Sequence, residues 1–399
     1  MITRRAHRSR GPVLAIVLAV AAAVASGCSS DGSPNTMSHN DSAPGRLLTT
    51  MPLTSAAALP GAASNRLITY VSEDSHGNPI VVSGSVSVPK TAPPTGGWPV
   101  ISWAHGTTGW ADTCAPSADT ADGPDHDYLG PIDSVLDSWV AKGYAVVQTD
   151  YQGMGTPGGH PYLDGISEAN TATDIVRAAR ALDDSIGKDW IVMGHSQGGQ
   201  AALFTAQDAR QRAPELDLKG AVAIAPGGVG LSRTVDYVKT NQPGAEAAEA
   251  FLPVMILGAA AVDPSIDPDR VLAPGAKPLL TAARTGCLAQ IRAVPPIPAA
   301  QFFAPQADLT PVTAYLEQQD PTRVTPKVPT MIAQGTEDVL AAKPGTDALV
   351  KAYCAKGIGI DYQVYPGKDH RAAVPASLTD AQAFVARAVA GESTTNTCH

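Results

Sequence analysis

The residues with the clearest chemical potential form the sequence GHSQGG at positions 194–199. A serine between glycines at this spacing stands on a sharp turn that exposes its hydroxyl group, provided that a strand leads into the turn and a helix leaves it. The apolar run 190–194 and the helix-forming stretch 200–212 meet that condition. Glycine is required beside the serine because a Cβ atom would collide with the turn. The pattern therefore predicts that Ser196 is a nucleophile.

A serine hydroxyl reacts at neutral pH only when a histidine accepts its proton and an acid orients that histidine. Asp338 follows one predicted strand, with Glu337 as its neighbour, and His370 follows the next. His370 is also the one histidine between the serine motif and the C-terminal residue. We therefore expect a triad of Ser196, Asp338 and His370. The structural alternatives are that Asp338 caps a helix and that His370 is a surface residue.

The negative charge that develops on the substrate oxygen needs two hydrogen-bond donors. The backbone N–H of Gln197, directly after the nucleophile, is the first expected donor. The loop 102–109 follows an early strand, and we expect the N–H of Thr107 or a neighbour to be the second. His105 on that loop and His195 before the serine are interpreted as structural residues.

Short apolar runs alternate with helical segments along the chain. The predicted strands are residues 67–71, 81–88, 99–104, 145–149, 190–194, 220–224, 330–333 and 360–364. Helical spacing occurs at 132–142 and 169–182, and this alternation predicts a mostly parallel sheet with helices on both faces. The interval 227–327 interrupts this alternation of strands and helices with short amphipathic stretches. We interpret it as a helical cap over the active site, the alternative being a separate lobe with no role in binding.

Several motifs together resemble a known family. They are WAHGTTG at 103–109 with CAPS at 114–117, GYAVV at 143–147 with DYQG at 150–153, and GHSQGG at 194–199. The sequence from residue 67 to 384 is similar to the secretory lipases of the lipase A type. The resemblance implies an α/β-hydrolase fold with a helical cap, a Ser-Asp-His triad, and hydrolysis of acyl esters including glycerides. It also places the second oxyanion donor near Asp112 instead of Thr107.

The N-terminus predicts export. Arginines precede an apolar run at 13–24, and small residues precede Cys28, as in a secretory signal of residues 1–27. Cys28 resembles the acylated first residue of bacterial lipoproteins, and the alternative is cleavage of the signal without modification of the cysteine. The paired arginines 4 and 5 fit a twin-arginine export signal poorly. Residues 28–60 are predicted to be a flexible tether to a catalytic domain at 61–399, so the expected partners are a membrane, reached through a lipid anchor, and an ester or lipid substrate.

Four cysteines remain after Cys28, an even number that predicts two disulfides in an exported chain. We expect Cys114 to pair with Cys287, because one lies on the loop above the active site and the other in the predicted cap. Cys354 should then pair with Cys398, since the last helix should pack near Cys354.

Composition excludes two classes of partner. The formal net charge of −9, without a basic stretch, lacks the clustered cations that nucleic acids need. No cysteine pair has zinc-ligand spacing and the nine histidines are scattered, so we expect neither metal nor cofactor. The sequence thus predicts an exported carboxylic ester hydrolase. A deacetylase, a peptidase or an acyltransferase on the same fold, and a non-catalytic envelope lipoprotein, remain alternatives.

Overall fold

A nine-stranded sheet organises the part of the chain that the computed structural model describes, residues 42–243 and 245–398. In chain order the strands are β1 Leu47–Pro52, β2 Ser64–Glu73, β3 Pro79–Val88, β4 Trp98–Ala104, β5 Ala145–Thr149, β6 Ile186–His195, β7 Asp217–Ile224, β8 Thr330–Gly335 and β9 Ile360–Tyr365. Their order across the sheet is β1-β2-β3-β5-β4-β6-β7-β8-β9. The strands from β5 to β9 run parallel, and β1, β2 and β3 are antiparallel. All eight predicted strands are present, and β9 is an edge strand.

Helices cover both faces of the sheet. The helices outside the interval between β7 and β8 are α1 His126–Ala141, α2 Gly165–Leu182, α3 Gln197–Arg212, α10 Lys343–Ala355 and α11 Ala373–Ala390. Trp139 of α1 and Phe384 of α11 are buried in one core with Ile101 of β4. On the opposite face, Ile175 of α2 packs with Val192 of β6. Side chains therefore alternate between two cores along the central strands, as a doubly covered parallel sheet requires.

The interval between β7 and β8 is helical. It contains α4 Ser232–Lys239, α5 Leu252–Val262, α6 Pro268–Val271, α7 Lys277–Thr285, α8 Leu288–Arg292 and α9 Thr310–Gln318. These helices share a hydrophobic core of their own, in which Ile256, Leu280 and Phe302 are fully or almost fully buried. The helical insertion thus has enough apolar contact to keep a defined shape.

The predicted tether of residues 28–60 is wrong in its C-terminal part. Residues 47–52 form β1, which pairs with β2 at the edge of the sheet. Four of the six residues of β1 are exposed, so the strand lacks the apolar pattern that distinguishes a strand from a linker. The predicted signal 1–27, Cys28 and the first part of the tether lie outside the described residues. Among the residues described, no helix has the length and apolar character that crossing a membrane requires.

Two disulfides are present within the described residues, and they have the predicted pairing. Cys114, in the loop after β4, is bonded to Cys287, which directly precedes α8. Cys354 of α10 is bonded to Cys398, near the C-terminus. The second bond holds the terminal segment against the edge of the sheet, where the Thr397 N–H donates to the Ile360 carbonyl of β9 over 2.8 Å.

Replacing Cys354 and Cys398 together by serine should lower the free energy of unfolding by up to about 4 kcal/mol. The bond closes a loop with a sequence separation of 44 residues, and its loss frees the unfolded chain. Denaturant unfolding of both proteins under non-reducing conditions measures the difference. Peptide mapping that found free thiols, or Cys114 joined to either of these cysteines, would contradict the pairing.

Candidate active site

Ser196 lies on the turn between β6 and α3. Its backbone angles are φ 58° and ψ −117°, a combination that costs energy for any residue with a side chain. The turn is possible because its neighbours lack side chains. A Cβ on Gly194 would lie 2.1 Å from the Gly198 carbonyl oxygen, and one on Gly198 would lie 1.8 Å from that of Ala104. The strand, turn and helix predicted around this serine are therefore all present.

His370 and Asp338 meet at the ends of neighbouring strands. His370 Nδ1 donates to Asp338 Oδ2 over 2.8 Å, in a position where the acid's side chain is fully buried. Glu337, the neighbouring acid, is exposed. Ser196 and His370 line the same cavity. The structure thus brings the three predicted triad residues to one place.

Asp338 is held as a carboxylate. Burial alone would raise its pKa, but hydrogen bonds and the charge of His370 outweigh that effect and lower the pKa below its ordinary value. Its other donors are the backbone N–H groups of Leu340 and Ala341, at 2.9 and 2.8 Å, and the amide of Gln334 at 3.1 Å. The acid therefore caps the turn that follows it and orients the histidine at once.

His195, interpreted from sequence as a structural residue, packs against the His370 ring and is hydrogen-bonded to the His370 backbone. Its Nε2–H donates to the backbone carbonyl of His370 over 2.9 Å, so its Nδ1 accepts the hydrogen bond from the Tyr128 hydroxyl at 2.8 Å. Burial lowers the pKa of His195 well below its ordinary value, which keeps the ring neutral. His105 is also buried and neutral, with a pKa lowered to about 4 by burial.

The expected oxyanion donors come from two separate elements that both line the cavity at Ser196. Gln197 is the first residue of α3, where backbone N–H groups have no partner within the helix. Thr107 lines the cavity with Ser196, and its hydroxyl lies 2.8 Å from that of Tyr162. Asp112 is exposed on the 3-10 turn Asp112–Cys114 and is not among the described residues that line this cavity.

The cavity at Ser196 has two parts. The larger, of about 360 Å³, extends under the helical insertion and is lined mainly by apolar side chains, including Leu231, Phe251 and Met255. The smaller, of about 30 Å³, adjoins Ser196 on the side of Arg292 and Arg371. No cluster of His, Cys, Asp and Glu suited to a metal ion occurs in the described part of the chain.

A model of the secretory lipase family matches residues 133–242. The predicted resemblance to the secretory lipases is confirmed. Lipase A of Moesziomyces aphidis is 26% identical over 299 residues, which are 70% of this chain and 62% of that protein. The chain therefore aligns with less than two thirds of the length of this lipase.

Solved structures show the fold. Candida antarctica lipase A superimposes with a TM-score of 0.74 at 20% identity, covering 89% of this chain and 84% of that one. The rice cell wall degrading esterase LipA from Xanthomonas oryzae gives a TM-score of 0.67 at 20% identity, with 86% and 97% covered. The α/β-hydrolase fold predicted from the sequence is confirmed by these likenesses.

Glu168 of α2 is a residue of the candidate active site that sequence reasoning missed. It is buried and accepts a hydrogen bond from the Gln197 side chain over 2.7 Å and one from the Leu163 N–H over 3.1 Å. His160 accepts the second amide hydrogen of Gln197, at 3.2 Å, since its Nδ1–H donates to the Gln152 carbonyl. The residue after the nucleophile is thereby held from two sides. A lone acid in a helix carries no spacing signal that could have revealed this contact.

Glu168→Gln should remove a component of stability that depends on pH. Burial raises the pKa of the Glu168 carboxyl well above 4.5, so the folded chain keeps a proton that the unfolded chain loses. The wild-type free energy of unfolding must therefore fall as pH rises above about 4.5, by up to about 1.4 kcal/mol per pH unit. Unfolding of both proteins from pH 4 to 8 should show the stability difference moving in favour of the variant.

A matched control is Glu317→Gln, at an exposed position of α9. It should leave the slope of stability against pH unchanged. Parallel curves for wild type and Glu168→Gln would show that Glu168 is not protonated in the folded protein.

Proposed function

We propose that this chain is an exported serine hydrolase that cleaves carboxylic esters, glycerides among them, through an acyl-enzyme. The observation that carries the proposal is the strained turn that holds Ser196 in one cavity with His370, whose ring is hydrogen-bonded to the buried Asp338. A strained non-glycine residue persists where the surrounding structure enforces it, and such positions cluster at active sites. The similarity to lipases and esterases supports the choice of esters.

The residues present supply each step of acyl transfer. His370 Nδ1–H is engaged by Asp338, which leaves Nε2 to accept the proton of Ser196 as its oxygen attacks the ester carbonyl carbon. The N–H groups of Gln197 and Thr107 stabilise the resulting oxyanion. The carbon–oxygen bond to the alcohol breaks as His370 returns the proton to it. Water then attacks the acyl-serine by the same route, releasing the acid and restoring the serine.

The larger part of the cavity accommodates the acyl group. Its volume and apolar lining are typical of sites that bury a small ligand. Because this part has a volume of only about 360 Å³ and aromatic side chains such as Tyr162 and Phe251 take up space in its lining, we propose a preference for short to medium acyl groups. An acyltransferase would differ in using an alcohol in place of water, and product analysis in the presence of added alcohols separates the two.

Export is supported by the two disulfides, which persist in oxidising compartments. We further propose that Cys28 is acylated, which would place the enzyme on a membrane surface. Incorporation of labelled fatty acid into the wild-type chain but not into a Cys28→Ser variant tests this proposal, and equal labelling of both would reject it.

Ser196→Ala should lower ester turnover by roughly 10⁴- to 10⁶-fold, because the variant retains the cavity but has no nucleophile. Hydrolysis of 4-nitrophenyl butyrate measures the loss, and a fluorophosphonate probe should label the wild type alone. Ser134→Ala, at an exposed position of α1, is the control and should label normally. Substantial activity in the Ser196 variant would remove this residue from the mechanism, and an unlabelled wild type would favour a non-catalytic protein.

Leu231→Trp should shift the acyl preference towards shorter chains. Leu231 lines the larger cavity and is only partly buried, so a larger side chain there fills space that a longer acyl group would use. The measurement is the ratio of kcat/KM for 4-nitrophenyl octanoate to that for the acetate, which we expect to fall about tenfold. Tyr237→Trp, at the exposed rim of the same cavity, should change the ratio far less. An unchanged ratio in the Leu231 variant would show that the acyl chain lies elsewhere.

A further inference from the structure

Two arginines lie beside the nucleophile and have no part in the acyl-transfer steps. Arg292 ends α8, and Arg371 directly follows His370 in the chain. Both line the smaller part of the cavity together with Ser196 and His370. Their side chains come from the helical insertion and from the loop after β9, two separate parts of the fold that converge at this point.

Each guanidinium group rests on an aromatic ring. Arg292 lies over Phe251, 5.2 Å from the ring centroid, and Arg371 lies over Tyr128 at 5.1 Å. Such contacts orient a guanidinium group while leaving its N–H donors available. Both residues are exposed, so an incoming molecule can reach these donors.

The charges of the two arginines are poorly compensated. Within residues 42–243 and 245–398, no carboxylate forms an ion pair with either of them. The acid that acts on both is Asp125, which is buried and accepts from the Ala289 N–H. Burial raises the pKa of Asp125 to about 6, against the opposing effects of that hydrogen bond and the arginines. Above that pH the three groups together carry one positive charge, and below it two.

The two arginines also repel each other. Partial burial of the Arg292 guanidinium group against its neighbours lowers its pKa, and the charge of Arg371 lowers that pKa further. Two cations that line one small cavity are unfavourable in the free enzyme, and an anion between them would relieve that cost. The arrangement is therefore typical of a site for a negatively charged group.

We propose that Arg292 and Arg371 bind an anionic group on the alcohol part of the ester substrate. This inference rests on the proposed ester hydrolysis. With the acyl chain in the larger, apolar part, the alcohol part leaves Ser196 on the side of the smaller one. That part is only about 30 Å³ in volume, but both arginines are exposed, so the anionic group alone has to reach their guanidinium groups. His370, which returns the proton to the departing alcohol, lines both parts, and its neighbour Arg371 lines the smaller one. The substrate class is thus an ester of an alcohol that carries a phosphate or a carboxylate.

Matched pairs of soluble esters with one acyl chain test the proposal. The phosphate pair is 1-hexanoylglycerol and 1-hexanoylglycerol 3-phosphate, and the carboxylate pair is 2-hydroxyethyl hexanoate and hexanoyloxyacetate. For the wild type, kcat/KM should be on the order of tenfold higher for the anionic member of at least one pair, as expected for hydrogen bonds to a charged group. The pair with the larger ratio identifies the anion, and the ratio should fall as salt is added.

Substitution assigns the preference to these residues. In the double variant Arg292→Gln/Arg371→Gln the ratio should fall to about one. Taking the ratio within each variant cancels any general loss of activity or of folded protein. Arg371→Lys keeps the charge but loses the planar donor pair, and should give an intermediate ratio. Arg270→Gln is the matched control, because that arginine is highly exposed and lines neither part of the cavity, and its ratio should equal that of the wild type.

The outcomes separate this inference from the function on which it rests. Hydrolysis of the neutral esters with ratios of about one in the wild type would overturn the anion site and leave the esterase proposal intact. An anionic preference that survives in the double variant would overturn it as well, since the selectivity would then arise elsewhere. Failure to hydrolyse any of the esters, with Ser196 unlabelled by fluorophosphonate, would reject the proposed function, and the inference with it.

Discussion

The backbone of Ser196 is the constraint on which the rest of the site depends. A side-chain-bearing residue with φ 58° is held there by contacts that leave no room for a Cβ on either glycine of the turn. The surrounding sheet enforces these contacts, because the Ser196 N–H donates to the Ile224 carbonyl of β7 and the Gly227 N–H donates to the Ser196 carbonyl. The turn is therefore held by its neighbour strand as well as by its own sequence, and the strain on the serine is maintained by the fold.

Parallel pairing explains how the other groups reach this serine. Parallel strands end at one edge of a sheet, and the pairing of β8 with β9 carries Gln334 and Gly335 opposite Val364 and Tyr365. The loops that follow these strands then emerge side by side, which brings Asp338 to His370 although 32 positions separate them. Beneath them, buried neutral groups such as His195 fix the histidine backbone without adding charge to the site. A charged ring at that position would compete with His370 for a proton and repel its protonated form.

Sequence reasoning succeeded where a local rule was sufficient. A signature within a few residues marks the glycine pattern around Ser196 and the strands before Asp338 and His370. The same is true of the other central strands and of the helices that cover the sheet. It was wrong about β1, because an exposed edge strand is defined by its partner strand and not by its own composition. Glu168, Arg292 and Arg371 were missed for a related reason. Their significance comes from burial or convergence across distant parts of the chain, which no spacing in the sequence records.

The disulfide beside the active site bears on how firmly the two arginines are placed. Cys114–Cys287 joins the loop after β4 to the start of α8, and the Leu288 N–H donates to the Thr108 carbonyl over 2.7 Å at the same point. Arg292 lies one helical turn further along α8. The start of its helix is therefore linked covalently to the loop that carries Thr107, and its guanidinium group packs on Phe251 of the helical insertion. Arg371 is tied to His370 by the chain itself. The loop that carries Thr107, the last residue of α8 and the segment with His370 and Arg371 therefore meet at the smaller part of the cavity. The groups that would bind the alcohol part of a substrate are thus positioned by a disulfide and by chain adjacency, and those that would bind the acyl part by the hydrophobic core of the helical insertion.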